Sequence, residues 1–248
     1  MSDMDSPDGA HHDYFYGVRE AIDFRPEARG IYEQRVASKD LVLDVGGRNA
    51  QSRSHRQLRE LSSNPDTRIV STDVVDDYQP DLIDDICHST IDDETYDGVY
   101  VDAILEHVEE YWLAMDNIHR ILKPGGEVFI YVPFFWEVHD LMDFHRFTIA
   151  EVDRLLKGRF SEYKLFLPGE QGYGGVLWQL LTFYLIDQFP KAHNVLAKIT
   201  NVAAVPLIAL RYLVGPYRKG RSRISFKEYR FLCTHIYVNH GFCAWAKK

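Results

Sequence analysis

Within eight residues the chain places His139, Asp143, His145 and Arg146. A neutral imidazole can take a hydroxyl proton near neutral pH, a carboxylate can orient that imidazole, and a guanidinium can bind an acid or fasten a loop. His139 is the first candidate for proton acceptor and His145 the second, with Asp143 and Arg146 given to orientation or anchoring. The spacing also admits a metal triad of His139, Asp143 and His145, because imidazole and carboxylate are common ligands. Phe134, Phe135 and Trp136 precede this group and, with the run Gly172-Tyr173-Gly174-Gly175, can enclose an apolar or carbohydrate ligand.

A second set of residues suits a nucleoside. Asp44 and Gly46-Gly47 follow the apolar run Leu41-Val42-Leu43, and small residues there let backbone approach a ligand. Asp73 ends the next apolar run, where an acid can accept hydrogen bonds from ribose hydroxyls. Asp85-Ile86 follows a third, where a carboxylate can meet an adenine amino group and an apolar side chain can cover the ring.

These residues need a scaffold that brings strand ends together. From Asp40 the chain alternates short apolar runs with helical periodicity: strands at 41–43, 68–73, 81–86, 96–101 and 128–132, and helices at 52–61 and 109–122. Pro124-Gly125-Gly126 is expected to stop the second helix. Thr148 is a cap for a helix over 149–156. A strand is expected at 163–167, and a terminal hairpin or edge pair over 237–245. Such a succession builds a mostly parallel sheet with helices on both faces, whose ligands sit beyond the carboxyl ends of the strands.

Taken together, the motifs Val42-Leu43-Asp44-Val45-Gly46-Gly47, Asp73, Asp85, Tyr96-Asp97-Gly98-Val99, Leu105-Glu106-His107-Val108 and Leu122-Lys123-Pro124-Gly125-Gly126 resemble the class I S-adenosylmethionine-dependent methyltransferases, particularly the type 11 group. The resemblance runs from about Asp40 to Thr148. It implies a Rossmann-like α/β fold with a seven-stranded, mostly parallel sheet, the last strand antiparallel, and S-adenosyl-L-methionine as cofactor. It places Gly46 and Gly47 beside the methionine portion of the cofactor, Asp73 on its ribose, and Asp85 and Ile86 on adenine, with Asp44 also among the cofactor-binding residues. Asp102 and Ala103 line the methionine end. Arg48 and Ala50 depart from the pattern, standing where the loop often carries glycine. His107 is read as flanking the donor and Glu106 as stabilising the segment around it. Methyl transfer needs an aligned acceptor lone pair more than a dedicated base and requires no metal, so no metal is assigned.

The expected organisation is a single domain over 1–248: an N-terminal arm and helix at 1–39, the cofactor-binding core at 40–168, a helical insertion or lid at 169–230 before the terminal strand region at 231–248. The insertion carries apolar helices around 176–189 and 195–214. Lys198, Asn201, Pro206 and Arg211 interrupt the second and argue against a membrane span, while contact with a membrane surface or a lipid-linked substrate, or a homo-oligomer through the insertion, stays open. The net charge of -9 offers no general attraction for nucleic acid. Cys87, Cys233 and Cys243 form no metal-ligand spacing or disulfide framework, and the acidic first dozen residues, expected to fray, lack the runs of a secretory signal. A cytoplasmic or membrane-peripheral enzyme acting on a small sugar, phenolic or lipid-like acceptor is expected. The alternative is a catalytically silent S-adenosylmethionine-binding regulatory or scaffold protein.

Overall fold

The computed structural model describes residues 18–169, 172–182, 185–214, 225–236 and 238–248. The first-dozen segment, Tyr237 and part of the 176–189 run therefore lie outside the described residues. The elements are, in chain order, β1 (Ile22–Asp23), α1 (Ala28–Ala37), β2 (Leu41–Val45), α2 (Arg53–Leu61), β3 (Arg68–Asp73), β4 (Leu82–Ile83), β5 (Tyr96–Asp102), α3 (Tyr111–Ile121), β6 (Leu122–Pro133), α4 (Ile149–Leu156), β7 (Glu162–Phe166), α5 (Gly172–Leu181), α6 (Pro190–Ala203), α7 (Val205–Val214), α8 (Phe226–Phe231) and β8 (Gly241–Lys247). They divide into two compact units, one of Asp23–Pro168 with Gly241–Lys248, the other of Gly169–His240 with Met1–Ile22.

The sheet runs β1-β7-β8-β6-β5-β2-β3-β4. Strands β2 to β6 are parallel, so their carboxyl ends share one rim. Eight strands replace the expected seven, because two residues of the N-terminal segment add an edge strand beside β7. The expected terminal edge pair is also corrected. β8 is a single strand set between β6 and β7 and antiparallel to both, buried from Gly241 to Ala246. Its sequence, Gly-Phe-Cys-Ala-Trp-Ala, is continuously apolar, as a strand covered on both faces must be.

Local chemistry sets the other boundaries. Ser52 caps α2 by accepting from the His55 N–H at 3.1 Å, and its hydroxyl donates to the Gly47 carbonyl at 2.7 Å, tying the glycine loop to the helix. Thr148 caps α4 through the Glu151 N–H at 3.2 Å. Helix α3 ends at Ile121, and Pro124-Gly125-Gly126 already belongs to β6, within a register irregularity opposite Tyr96 and Gly98. The third strand is shorter than expected, with Ile86 beginning a single turn of 3-10 helix after it.

On one face of the sheet, Tyr32 of α1 stacks between Phe166 and Trp245, with ring centroids 5.0 and 5.2 Å away. Val36, Val42, Ile69, Tyr100, Phe129 and Cys243 complete this cluster. Buried Glu127 locks α1 to it, receiving hydrogen bonds from Arg35 (2.7 and 2.9 Å), Lys39 (2.7 Å) and the Trp245 indole (2.7 Å). Burial raises the Glu127 pKa, and these donors outweigh it, leaving the carboxyl below its ordinary value.

In the helical unit, the glycine run expected to form a ligand-enclosing turn is instead the first turn of α5. A Cβ on Gly174 would meet the Ala197 carbonyl oxygen at 2.3 Å, and one on Gly172 the Thr234 carbonyl at 2.0 Å, so glycine here permits close backbone packing. Pro190–Val214 has the length and hydropathy, 1.4 on average, of a helix able to cross a membrane, and only 6% of its apolar window is buried. Pro206 falls at the second position of α7, where a missing N–H costs nothing, just after the turn at Ala204 that separates α7 from α6.

Candidate active site

The parallel strands deliver their C-terminal residues to the same rim. Asp44 lies near the end of β2, directly beside Ser71 and Tyr100 in register, and Gly46 follows with φ +67°, a conformation that favours glycine. A Cβ on Gly47 would fall 2.1 Å from Asp44 Oδ2, so glycine leaves the buried carboxylate its space. Asp44 Oδ2 has no hydrogen-bond partner; His55 Nδ1 stands 3.4 Å away, near enough for attraction but outside hydrogen-bond geometry. Burial raises the Asp44 pKa against the influence of His55.

Asp73 closes β3 and is half-buried, one carboxylate oxygen accepting from the Val75 N–H at 3.3 Å. Asp85 is exposed and caps the turn after β4, accepting from the Cys87 N–H at 2.9 Å and approaching His88 Nδ1 at 3.0 Å, while Ile86 is buried. Asp102 closes β5, followed by Ala103 with φ +55°, whose N–H donates to the Tyr131 carbonyl at 3.1 Å. Burial raises the Asp102 pKa, with Arg29 opposing; its side chain keeps 27% exposure, so water limits that rise.

Asp102 has neighbours that sequence reasoning missed. Arg29 of α1 donates to Glu33 Oε1 at 3.0 Å and lies 3.6 Å from Asp102 Oδ2, and the Tyr100 hydroxyl reaches Glu33 Oε1 at 2.8 Å and Asp102 Oδ2 at 3.2 Å. Arg29 and Glu33 read in sequence as an ordinary i,i+4 surface pair. Their signal is the burial of α1, visible only as the apolar residues Ala28, Tyr32 and Val36 on the same face.

The loop after β6 is fastened from within. Arg146 donates to the Trp136, Glu137 and His145 carbonyls and pairs with Asp143 through two nitrogens, while the Phe144 and His145 N–H groups bond the Glu106 carbonyl. The Asp143 side chain is fully covered, and Arg146 beside it holds its carboxyl well below the ordinary range. Asp143 Oδ2 accepts from the His139 backbone N–H at 3.2 Å and lies 3.1 Å from His139 Nδ1. Arg146 is thus tied into the loop from within, and Asp143 lies against His139 rather than His145. His145 points elsewhere: its Nε2 bonds the Glu109 carbonyl at 3.1 Å and its ring meets Tyr111 edge-on at 4.8 Å. The spacing-based triad of His139, Asp143 and His145 does not converge on one point.

Two other residues do come to His139. His107 Nε2 lies 3.2 Å from His139 Nε2, and Glu106, read in sequence as a stabiliser of its segment, is completely buried with neither carboxylate oxygen bonded to another of the described residues. Burial pushes the Glu106 pKa up to about 8. Phe134 packs on Phe242 at 5.5 Å, whereas Phe135 remains exposed beside the loop.

Residues 50–130 match the family described as "Methyltransferase domain", the type 11 methyltransferases; Asp73, Asp85, Ile86, Asp102 and Ala103 fall within the match, and Asp44, Gly46 and Gly47 just before it. A solved S-adenosylmethionine-dependent methyltransferase from Archaeoglobus fulgidus is 13% identical, with TM-score 0.52, over 95% of this chain and all of that one, which is a likeness of fold. A phosphoethanolamine N-methyltransferase from Haemonchus contortus, solved with S-adenosyl-L-methionine, is 14% identical over 99% of this chain and 57% of its own, TM-score 0.49. A 1,6-didemethyltoxoflavin-N1-methyltransferase from Burkholderia thailandensis is 17% identical over 66% and 83%, TM-score 0.41. No curated protein matches significantly in sequence.

Fold and strand-end acids thus define a class I S-adenosylmethionine-dependent methyltransferase. Within that class, residues 50–130 match the type 11 methyltransferase domain, and the cofactor is S-adenosylmethionine. The rim fits such a cofactor chemically: an Asp44 oxygen unpartnered among the described residues, beside the space left by Gly47, and the acids closing β3 and β5 are hydrogen-bond acceptors.

Proposed function

We propose that the chain methylates a small organic acceptor held against the loop after β6, and that His139 takes the acceptor's proton when the accepting atom is a hydroxyl. Bound S-adenosylmethionine supplies an electrophilic methyl group. Asp73 would hold the ribose, Asp85 and Ile86 the adenine, and Asp44, Gly46, Gly47, Asp102 and Ala103 the methionine end. The observation that carries the reading is the Asp143 contact to His139 Nδ1. The acceptors around Nδ1, the Asp143 carboxylate and the Glu137 carbonyl at 3.3 Å, favour a proton on Nδ1 and leave Nε2 as the base. Arg146 keeps Asp143 ionised, so the orienting group does not itself compete for the proton.

Among acceptor classes, the apolar surface of Pro190–Val214, with Val195, Ile199, Leu207 and Leu210 exposed, supports a lipid-like or lipid-linked molecule. The test is incubation of purified protein with methyl-labelled S-adenosylmethionine and separate aqueous and lipid fractions of cell extract, with mass-spectrometric identification of labelled product. A labelled product in the lipid fraction supports this reading. Saturable cofactor binding with no labelled product in either fraction favours the silent binding protein instead.

A further inference from the structure

His107 Nδ1 lies 2.9 Å from the Met142 carbonyl oxygen, and His139 Nδ1 lies 3.1 Å from Asp143 Oδ2 and 3.3 Å from the Glu137 carbonyl. Carbonyls and ionised carboxylates only accept, so each Nδ1 carries the proton. The two Nε2 atoms then lie 3.2 Å apart, a spacing that a cation held between them, a proton or a metal ion, would bridge. Glu106 supplies the third ligating group. Its Oε1 is 4.0 Å from His107 Nε2, and one ligating atom from each of the three residues lies within 4.8 Å of the others. A buried carboxylate bonded to no other residue is costly unless neutralised.

We infer that Glu106, His107 and His139 bind a divalent transition-metal ion. Two nitrogens about 2.0–2.1 Å from a tetrahedral zinc ion stand roughly 3.3 Å apart, close to the spacing observed. Rotation of the Glu106 side chain brings in the third ligand. Asp143 on His139 Nδ1 and the Met142 carbonyl on His107 Nδ1 are the outer-shell acceptors that metal-bound imidazoles require. Two imidazoles and one carboxylate leave a coordination position for an exogenous oxygen. The side chains of His107 and His139 are 27% and 37% exposed, so that position opens to solvent. Binding of the ion stands on the cluster alone; that the oxygen belongs to the methyl acceptor rests on the methyl transfer proposed above, with coordination replacing proton removal by His139. A bound ion would occupy His139 Nε2, and the acceptor hydroxyl would then be activated by coordination, which lowers its pKa, with the released proton passing to solvent.

The test uses the full chain stripped with a chelator and titrated with zinc alone by calorimetry, with S-adenosylmethionine binding measured on the same sample. Wild type should bind one equivalent that H107Q and H139Q each bind at least about 100-fold more weakly, beyond the loss typical of an outer-shell partner. H119Q should bind as wild type does. His11 and His12 are retained in every variant, so any zinc they take cancels in the comparison. X-ray absorption of the zinc-loaded wild type should show two imidazoles and oxygen ligands, a result independent of how the variants fold. Equal zinc binding by wild type, H107Q and H139Q, or zinc without two imidazole ligands, overturns the proposal and leaves a proton shared between the two rings. Failure to bind S-adenosylmethionine would count against the donor site and not against the metal.

Discussion

Asp143 contacts His139 at two points, accepting its backbone N–H at 3.2 Å and lying 3.1 Å from its Nδ1, so one covered carboxylate holds both the loop and the exposed ring. His139→Gln should preserve cofactor binding and lower the single-turnover methyl-transfer rate to a hydroxyl acceptor by about 100-fold or more at saturating acceptor. His145→Gln should cost far less, because its Nε2 is spent on the Glu109 carbonyl. Transfer by His139→Gln at the unmodified rate would remove the proposed base.

Asp73→Ala should weaken S-adenosylmethionine binding by roughly 1–3 kcal/mol, the range for hydrogen bonds to a charged group. Calorimetry gives the affinity and circular dichroism checks that the fold survives. Among the described residues its side chain makes one hydrogen bond, to the Val75 N–H, so unchanged affinity would dismiss the ribose assignment rather than reveal a folding defect.

Gly47→Ala forces a methyl group onto the Asp44 carboxylate, which is buried and short and has little room to yield. Overpacking of this kind costs about 1–3 kcal/mol of stability. The displaced carboxylate should also lower cofactor affinity tenfold or more, about 1.4 kcal/mol. An alanine variant with normal affinity and melting temperature would mean that the loop does not approach the cofactor.

Glu127→Gln should destabilise the chain by about 2–4 kcal/mol near neutral pH, towards the low end for a broken buried pair because Arg35 and Lys39 reach water. The folded-state pKa is lowered, so the unfolded chain binds the extra proton first. The stabilisation is complete above the ordinary glutamate value of about 4.3 and is lost as pH falls through the lower folded value. Denaturant unfolding of both proteins at several pH values should therefore show the gap narrowing on acidification below that point. Parallel acid profiles would contradict the assignment.

The sequence carried the rim well because each strand-end acid follows its own apolar run: Asp44, Asp73 and Asp102 need only local patterning to be placed. Ser52 and Thr148 were likewise readable as caps, since a cap is a local hydrogen bond. What stayed hidden depends on chain segments meeting from afar. His107 and His139 are 32 residues apart and share no periodicity, and Arg29 reaches Asp102 only because α1 packs beneath the sheet. The interior place of β8 was missed for the same reason: a short apolar run has no mark saying which neighbours it joins. Pro124-Gly125-Gly126 misled in the opposite way, because a turn signal was absorbed into an irregular stretch of β6.

Because β8 lies between β6 and β7, neither of those strands can acquire its neighbour on that side until residues 241–247 have been synthesised. The chain must close a loop of more than a hundred residues to join β6 to β8, an entropic cost paid late and for non-local contacts, which slows folding. Until that moment the apolar faces of Phe129, Phe166 and Tyr32 lack Trp245 and Cys243 against them. The nascent protein thus passes through a state with an open seam in its sheet, and its exposure to chaperones and to aggregation is set by how quickly seven residues find one slot.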